Sequence, residues 1–258
     1  MLTLLRSLRR GLLQEKKFGP YLLYALGEIL LIIVGILAAL WIDGWNQQRQ
    51  ENQREQFYLQ GLREEFQLSL VKLDTLIAVN RKSYETCMAL VQQIPEARSR
   101  EDEAALSRML IPALSNEIAY NPNNSLLKEI ISSGGLEILS NPELRQHLTS
   151  WESFLQSVNR QEQNLRNIRE RTMDVMLGPQ GSILILMRDA GMAHGFTDPG
   201  RPGREHSNLP LLQSLEFENK LLVYLVTAES TERLHYQPLR RKILSILEQI
   251  ESEHSGRR

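Results

Sequence analysis

Residues 21–42 read YLLYALGEILLIIVGILAALWI, and this stretch decides the class of protein. About 20 consecutive apolar residues, at a helical rise of 1.5 Å each, cross the roughly 30 Å hydrocarbon core of a bilayer. One charge, Glu28, interrupts the run. Tyr21 and Tyr24 stand at one end, Trp41 and Trp45 at the other, where lipid–water interfaces favour aromatic rings. A cleaved signal peptide would carry an apolar region of only about 7–15 residues and a small-residue cleavage site. No convincing A-x-A closes this one, so the segment is read as an uncleaved signal anchor with its membrane helix over 20–42.

Outward toward the N-terminus, residues 1–19 hold Arg6, Arg9, Arg10, Lys16 and Lys17 against Glu15 alone. Beyond the span, Arg49 and Arg54 are mixed with Glu51 and Glu55. The positive-inside rule therefore predicts a cytoplasmic N-terminus and residues 43–258 outside. In a Gram-negative cell that is an inner-membrane, single-pass protein with a periplasmic domain. Leu2, Leu4, Leu5, Leu8, Leu12 and Leu13 recur at helical spacing among the basic residues. A basic amphipathic helix of this kind suits anionic lipid headgroups, with the five Lys and Arg as lipid contacts. Phe18, Gly19 and Pro20 break it, and Pro20 suits the first turn of the next helix. A frayed basic tail is the plain alternative.

Glu28 lies roughly 10 Å inside the span by helical rise. An acid there costs about 2–3 kcal/mol on insertion scales, so it calls for a partner. On a helix it shares a face with Gly35 and Ala39, a small-x-x-x-small pair that lets another helix approach closely. Tyr24, one turn earlier, can offer its hydroxyl. The structural reading is a Glu28 that hydrogen-bonds Tyr24 or a neighbouring helix and specifies association. The functional one is a proton or ion site.

The stretch KKFGPYLLYALGEILLIIVGILAALWIDGWNQQR resembles the entry of a bacterial family known only as a domain of unknown function, common in Bacteroidetes. Its pattern runs K-F-x-x-Y-L-L-Y-A-x-G-E-I, then G-I-L-x-A-L and W-N. Here Lys17, Phe18, Tyr21 to Ala25, Gly27 to Ile29, Gly35 to Leu37, Ala39, Leu40, Trp45 and Asn46 match. NSLLKEIISSGGLEILSNPELR and LEFENKLL are similar to two later signatures, while Gly134–Gly135 and the loop near residue 200 depart from the pattern. The resemblance implies a membrane location and a helical exterior domain, with no activity to carry over.

Behind the anchor, Leu59, Leu62, Phe66, Leu70, Leu73, Ile77, Asn80, Tyr84, Cys87 and Val91 step by three and four. That predicts one long amphipathic helix, continuous with the anchor through NQQRQENQREQ and ended by Pro95. Shorter helices are expected over 102–111 and 125–132, the latter ahead of a break at Gly134–Gly135. Asn141 should cap a helix with Pro142 at its first position, running to Gly178 on Leu144, Leu148, Trp151, Leu155, Val158, Leu165 and Ile168. Residues 182–187 could be strand or helix. Residues 191–208 read as a surface loop. A final helix of about 45 residues from Pro210 should turn Leu211, Leu215, Leu222, Leu225, Tyr236, Leu239, Ile243, Ile246 and Ile250 inward, with a kink or division at Pro238. The fold class expected is all-α: a single transmembrane helix followed by an antiparallel bundle of long helices.

Composition agrees with a folded chain, at 42% hydrophobic and 24% charged. A net charge of -1 argues against nucleic-acid binding. The single cysteine, Cys87, permits no internal disulfide and is read as a buried, inert thiol. No phosphate loop, dinucleotide fingerprint, H-E-x-x-H or C-x-x-C occurs. His194, Asp198, Glu205 and His206 have metal-ligand chemistry without defined spacing and are read as solvated loop residues. Ser132 and Ser133 beside Gly134 are read as a helix end, not a nucleophile turn. No catalytic residue, metal or cofactor is assigned, and the chain is not expected to be an enzyme. Two functions compete: a non-enzymatic interaction, scaffold or sensing accessory protein, and a subunit of an ion-motive-force-coupled complex using Glu28. Anionic lipid, a second copy of the chain or another membrane protein are the expected partners.

Overall fold

The computed structural model describes residues 18–193 and 207–255. The basic segment with Arg6, Arg9, Arg10, Lys16 and Lys17, and the loop residues His194, Asp198, Glu205 and His206, lie outside the described residues. Among the described residues all regular structure is helical. The chain divides into two compact units, Met1–Gln56 and Phe57–Arg258.

Helix α1, Phe18–Gln93, runs through the first unit and into the second. In the first unit every described residue from Leu22 to Gln50 except Ala25 is exposed. This helix is long and apolar enough to cross a membrane. In the second unit its burial becomes one-sided. Leu59, Phe66, Leu73, Asn80, Cys87 and Ile94 are buried at seven-residue intervals, with Leu62, Ser69, Ser83 and Leu90 between them. Such spacing is that of a helix packed lengthwise on others. Leu59, Leu62, Ser69, Leu73, Asn80, Ser83, Cys87 and Leu90 are fully covered, and Leu70, Tyr84 and Val91 flank them half-buried.

A short 3-10 turn at Ile94–Glu96, begun by Pro95, ends α1. α2 (Arg100–Leu114) starts from a capping box between Ser99 and Asp102. An irregular segment, 115–124, leads to α3 (Ser125–Ser132). Gly134, at φ 75°, takes the left-handed conformation that releases the chain from α3. Asn141 caps α4 (Pro142–Thr149), its side chain accepting from Glu143 and Leu144 N–H. The single helix expected from 141 to 178 is two, because it breaks at Ser150 before α5 (Trp151–Leu177). The Ser150 hydroxyl bonds back to the Gln146 and His147 carbonyls. Trp151 turns into the core, edge-on to Phe66 at 5.0 Å. The undecided stretch is helix α6 (Ile183–Asp189), capped by Ser182.

The long final helix is also corrected. α7 (Leu209–Leu212) stops at Gln213, and Ser214 caps a new helix, α8 (Leu215–Thr231). A π-turn, Glu232–Tyr236, joins α8 to α9 (Gln237–Ser255). Pro238 lacks the N–H that would bond the Leu234 carbonyl and would clash with it in a regular helix, and the π-turn makes room one residue ahead. The break at Ser214 resets the helical phase. Phe217, Leu221, Tyr224, Leu225 and Ala228 face inward, while Leu215 and Leu222, expected inside, are 70% and 36% exposed.

Pairs distant in sequence fix the directions. Arg63 meets Glu251, Asp74 meets Arg240 and Arg81 meets Glu232, so α9 descends as α1 rises. Gln161 bonds Thr231 and Thr172 bonds the Lys220 carbonyl, so α5 and α8 are antiparallel as well. Trp151, Phe66, Tyr224 and Tyr236 fill the middle. Because Phe66 is 2% exposed and Leu68 54%, Phe66→Ala should destabilise the chain by about 3–5 kcal/mol. Leu68→Ala should change it by less than about 0.5 kcal/mol. Urea unfolding in detergent micelles, followed by circular dichroism, checks both, and equal losses would contradict this core.

Candidate functional site

The residues singled out in the apolar helix fall together. Tyr24, Glu28, Gly35 and Ala39 follow one another along one side of α1, all exposed. A Cβ placed on Gly35 would meet nothing within 4 Å. Tyr24 and Glu28 form no hydrogen bond with each other among the described residues, so this face is open to another helix or to lipid.

A second constellation, in Phe57–Arg258, is buried and was not foreseen. Glu162 on α5 is 4% exposed, and its Oε1 accepts from the Tyr120 N–H and the Tyr236 hydroxyl, both at 2.8 Å. Tyr120 in turn donates its hydroxyl to the Ser69 carbonyl on α1 at 3.0 Å. Ser69 clamps the same segment again, donating to the Asn123 carbonyl and accepting from the Asn123 N–H. The irregular 115–124 segment is thus a strap between α1 and α5. Arg166 pairs with Glu117, and Arg169 bonds the Asn116 carbonyl. At its far end Glu65 accepts from the Leu126 and Leu127 N–H groups, capping α3 from a different helix. Between strap and α5 lies an open cleft of about 480 Å³, lined by Asn121, Asn124, Lys128, Gln156 and Arg160, with Glu162 also facing it.

Burial pushes the Glu162 carboxyl above the ordinary range, against its bonds from Tyr236 and Tyr120 and the charge of Arg166. The Tyr236 hydroxyl is pushed up by burial and by Glu162 beneath it. One helical turn from Tyr236, buried Glu232 holds Arg81, Tyr84 and Gln237. Asn80 donates to the Ala228 carbonyl at 2.9 Å beside them. These groups order three helices and a strap around one polar layer. The sequence did carry a signal for Glu162. The apolar stripe of α5 steps from Val158 to Leu165, and the position skipped is 162.

Two further groups are placed. Cys87 is fully buried and its thiol is pushed up to about 12 by burial, as expected of an inert cysteine. Glu103, 1% exposed, accepts from the Asn208 N–H and the Ser207 hydroxyl, which pins the chain where it re-enters the bundle before α7. Among the described residues no group of His, Cys, Asp and Glu could hold a metal ion.

Fold and site define an all-α protein in which one helix is apolar enough for a membrane and continues into a helical bundle. The model of the Family of unknown function (DUF6090) matches residues 28–162, just over half of the chain, and the chain belongs to that family. No curated protein and no solved structure matches it.

The Glu162 site makes a pH prediction. A carboxyl raised on folding stabilises the fold below its ordinary unfolded value, and that contribution is lost as pH rises through the raised folded value. Glu162→Gln keeps an acceptor for Tyr120 and Tyr236 but cannot ionise. It should gain on wild type as pH rises from about 4 toward 7. Glu162→Leu strands both donors, at about 1–3 kcal/mol each. Unfolding midpoints across pH measure this, and a glutamine variant that loses ground with rising pH would contradict it.

Proposed function

We propose that this chain is a membrane-anchored, non-enzymatic interaction protein, a scaffold or sensing accessory subunit with its helical bundle in the periplasm of a Gram-negative cell. The observation that carries the reading is the uncovered surface of α1 from Leu22 to Ile42, apolar apart from Tyr24 and Glu28, with Glu28, Gly35 and Ala39 in an ordered row. Apolar side chains in that number cannot remain in water, and a lipid bilayer is the solvent that fits them. Within lipid, the small residues let a second helix approach and Glu28 supplies a strong hydrogen-bonding group at the contact. The basic residues Arg6, Arg9, Arg10, Lys16 and Lys17 fit an anionic leaflet and set the orientation. The buried polar layer around Glu162 supports a binding role for the bundle, because it fixes the strap and the walls of the cleft in one arrangement.

Glu28 tests the reading. Glu28→Gln keeps size and hydrogen bonding and should retain most association of the chain with its membrane partner. Glu28→Leu removes the bond and should weaken association partially, since interhelical hydrogen bonds are worth about 0.6–2 kcal/mol. Co-purification after mild detergent extraction reads this out. A glutamine variant that assembles fully yet abolishes the cellular phenotype of the wild type would replace the scaffold reading with an ion-coupled one.

A further inference from the structure

We propose that the outer face of α8 is a self-association seam, on which Leu215, Asn219, Leu222 and Val226 meet the same four residues of a second copy of this chain in parallel register. α8 is apolar on two sides. One side, from Phe217 to Ala228, fills the core. The other leaves Leu215 70%, Leu222 36%, Val223 53% and Val226 56% exposed, with Asn219 in line among them. An exposed apolar row on a helix whose opposite side already fills a core calls for cover of its own.

The spacing and the one polar residue say what the cover is. Leu215, Asn219, Leu222 and Val226 follow at steps of four, three and four, the seam of a two-stranded coiled coil. Leucine falls at one alternate position, and asparagine and valine at the other, the choice that favours a parallel pair. An amide is self-complementary, because it carries a donor and an acceptor and matches a second amide. Parallel register sets Asn219 against Asn219. An antiparallel pairing centred on these four residues would bury Asn219 against Leu222 and leave its amide without a match. Glu218 flanks one side of the seam and Val223 the other, so no like charges oppose each other there. Glu229, the next seam position, ends it. Eleven residues of rise, about 16 Å long and roughly 10 Å across, give an area far below the roughly 800 Å² per partner of a stable interface. The seam is therefore weak alone and is populated when copies are concentrated in one membrane. In that respect it rests on the membrane-anchored reading above.

Disulfide cross-linking of the full-length chain in native membrane vesicles tests it. Cys87 is fully buried, so the unaltered chain gives the background. L215C, L222C and V226C replace exposed side chains and should leave the fold intact, which circular dichroism checks. With a copper–phenanthroline oxidant each should give a product of twice the chain mass, at least about ten-fold more than Q67C, an exposed position on α1. Linking at Leu222 without linking at Leu215 would overturn the parallel register. Equal linking at Gln67 would overturn the seam. A39C in the membrane helix separates the two claims. If A39C links and L215C does not, the seam fails and intramembrane association stands. If L215C links and A39C does not, the seam stands and the intramembrane contact falls.

Discussion

One helix carries two kinds of surface, and in the proposed reading, where it satisfies two solvents, the rest of the chain follows from how it does so. From Leu22 to Ile42 the surface of α1 is apolar apart from Tyr24 and Glu28, and the described residues leave it uncovered. From Leu59 onward burial is one-sided: Leu59, Phe66, Leu73, Cys87 and Ile94 recur on a seven-residue spacing and are buried, while Leu68, Val71 and Met88 on the other sides stay exposed. A helix of the first kind needs lipid, and one of the second kind needs other helices on a single face. α5, α8 and α9 supply that cover in Phe57–Arg258. Ion pairs such as Arg81–Glu232 and Asp74–Arg240 select the register without carrying much of the stability, since their Arg partners stay half exposed.

Inside the bundle, polar groups do what apolar packing leaves undecided. Leucines and isoleucines can slide past one another at small cost, whereas Glu162 accepts two bonds only when strap, α5 and the π-turn are each in place. Burying a carboxyl opposes folding, and the raised titration of Glu162 expresses that cost. The π-turn that accommodates Pro238 brings Tyr236 to Glu162 and Glu232 to Arg81. A backbone irregularity and a polar layer thus depend on each other.

Much of this is legible in the residues themselves. Seven-residue repeats mark α1, Asn141–Pro142 marks the start of α4, and the run 21–42 marks the part of α1 apolar enough to cross a membrane, because each is a local pattern with a local cause. What escapes is set by contacts distant in sequence. The α4–α5 break depends on a serine hydroxyl and a tryptophan docking on Phe66. The inward face of α8 could not be chosen from periodicity, because Leu215 and Leu222 make as good a stripe as Phe217 and Tyr224. Glu162 was passed over because a gap in an apolar stripe reads as solvent unless tyrosines from elsewhere are known to reach it. That Tyr24, Glu28, Gly35 and Ala39 lie along one side of α1 follows from helical spacing alone.

The central claim of the proposed reading is that the helix over 20–42 lies in lipid while the helix beyond it stands in water outside the cell's cytoplasm. Labelling of single introduced cysteines with a membrane-impermeant maleimide in intact cells with permeabilised outer membranes tests it most directly. Gln53→Cys should label without lysis, and Ile33→Cys should label only after denaturation. Equal labelling of the two, or labelling of Gln53→Cys only after the inner membrane is opened, would contradict the account.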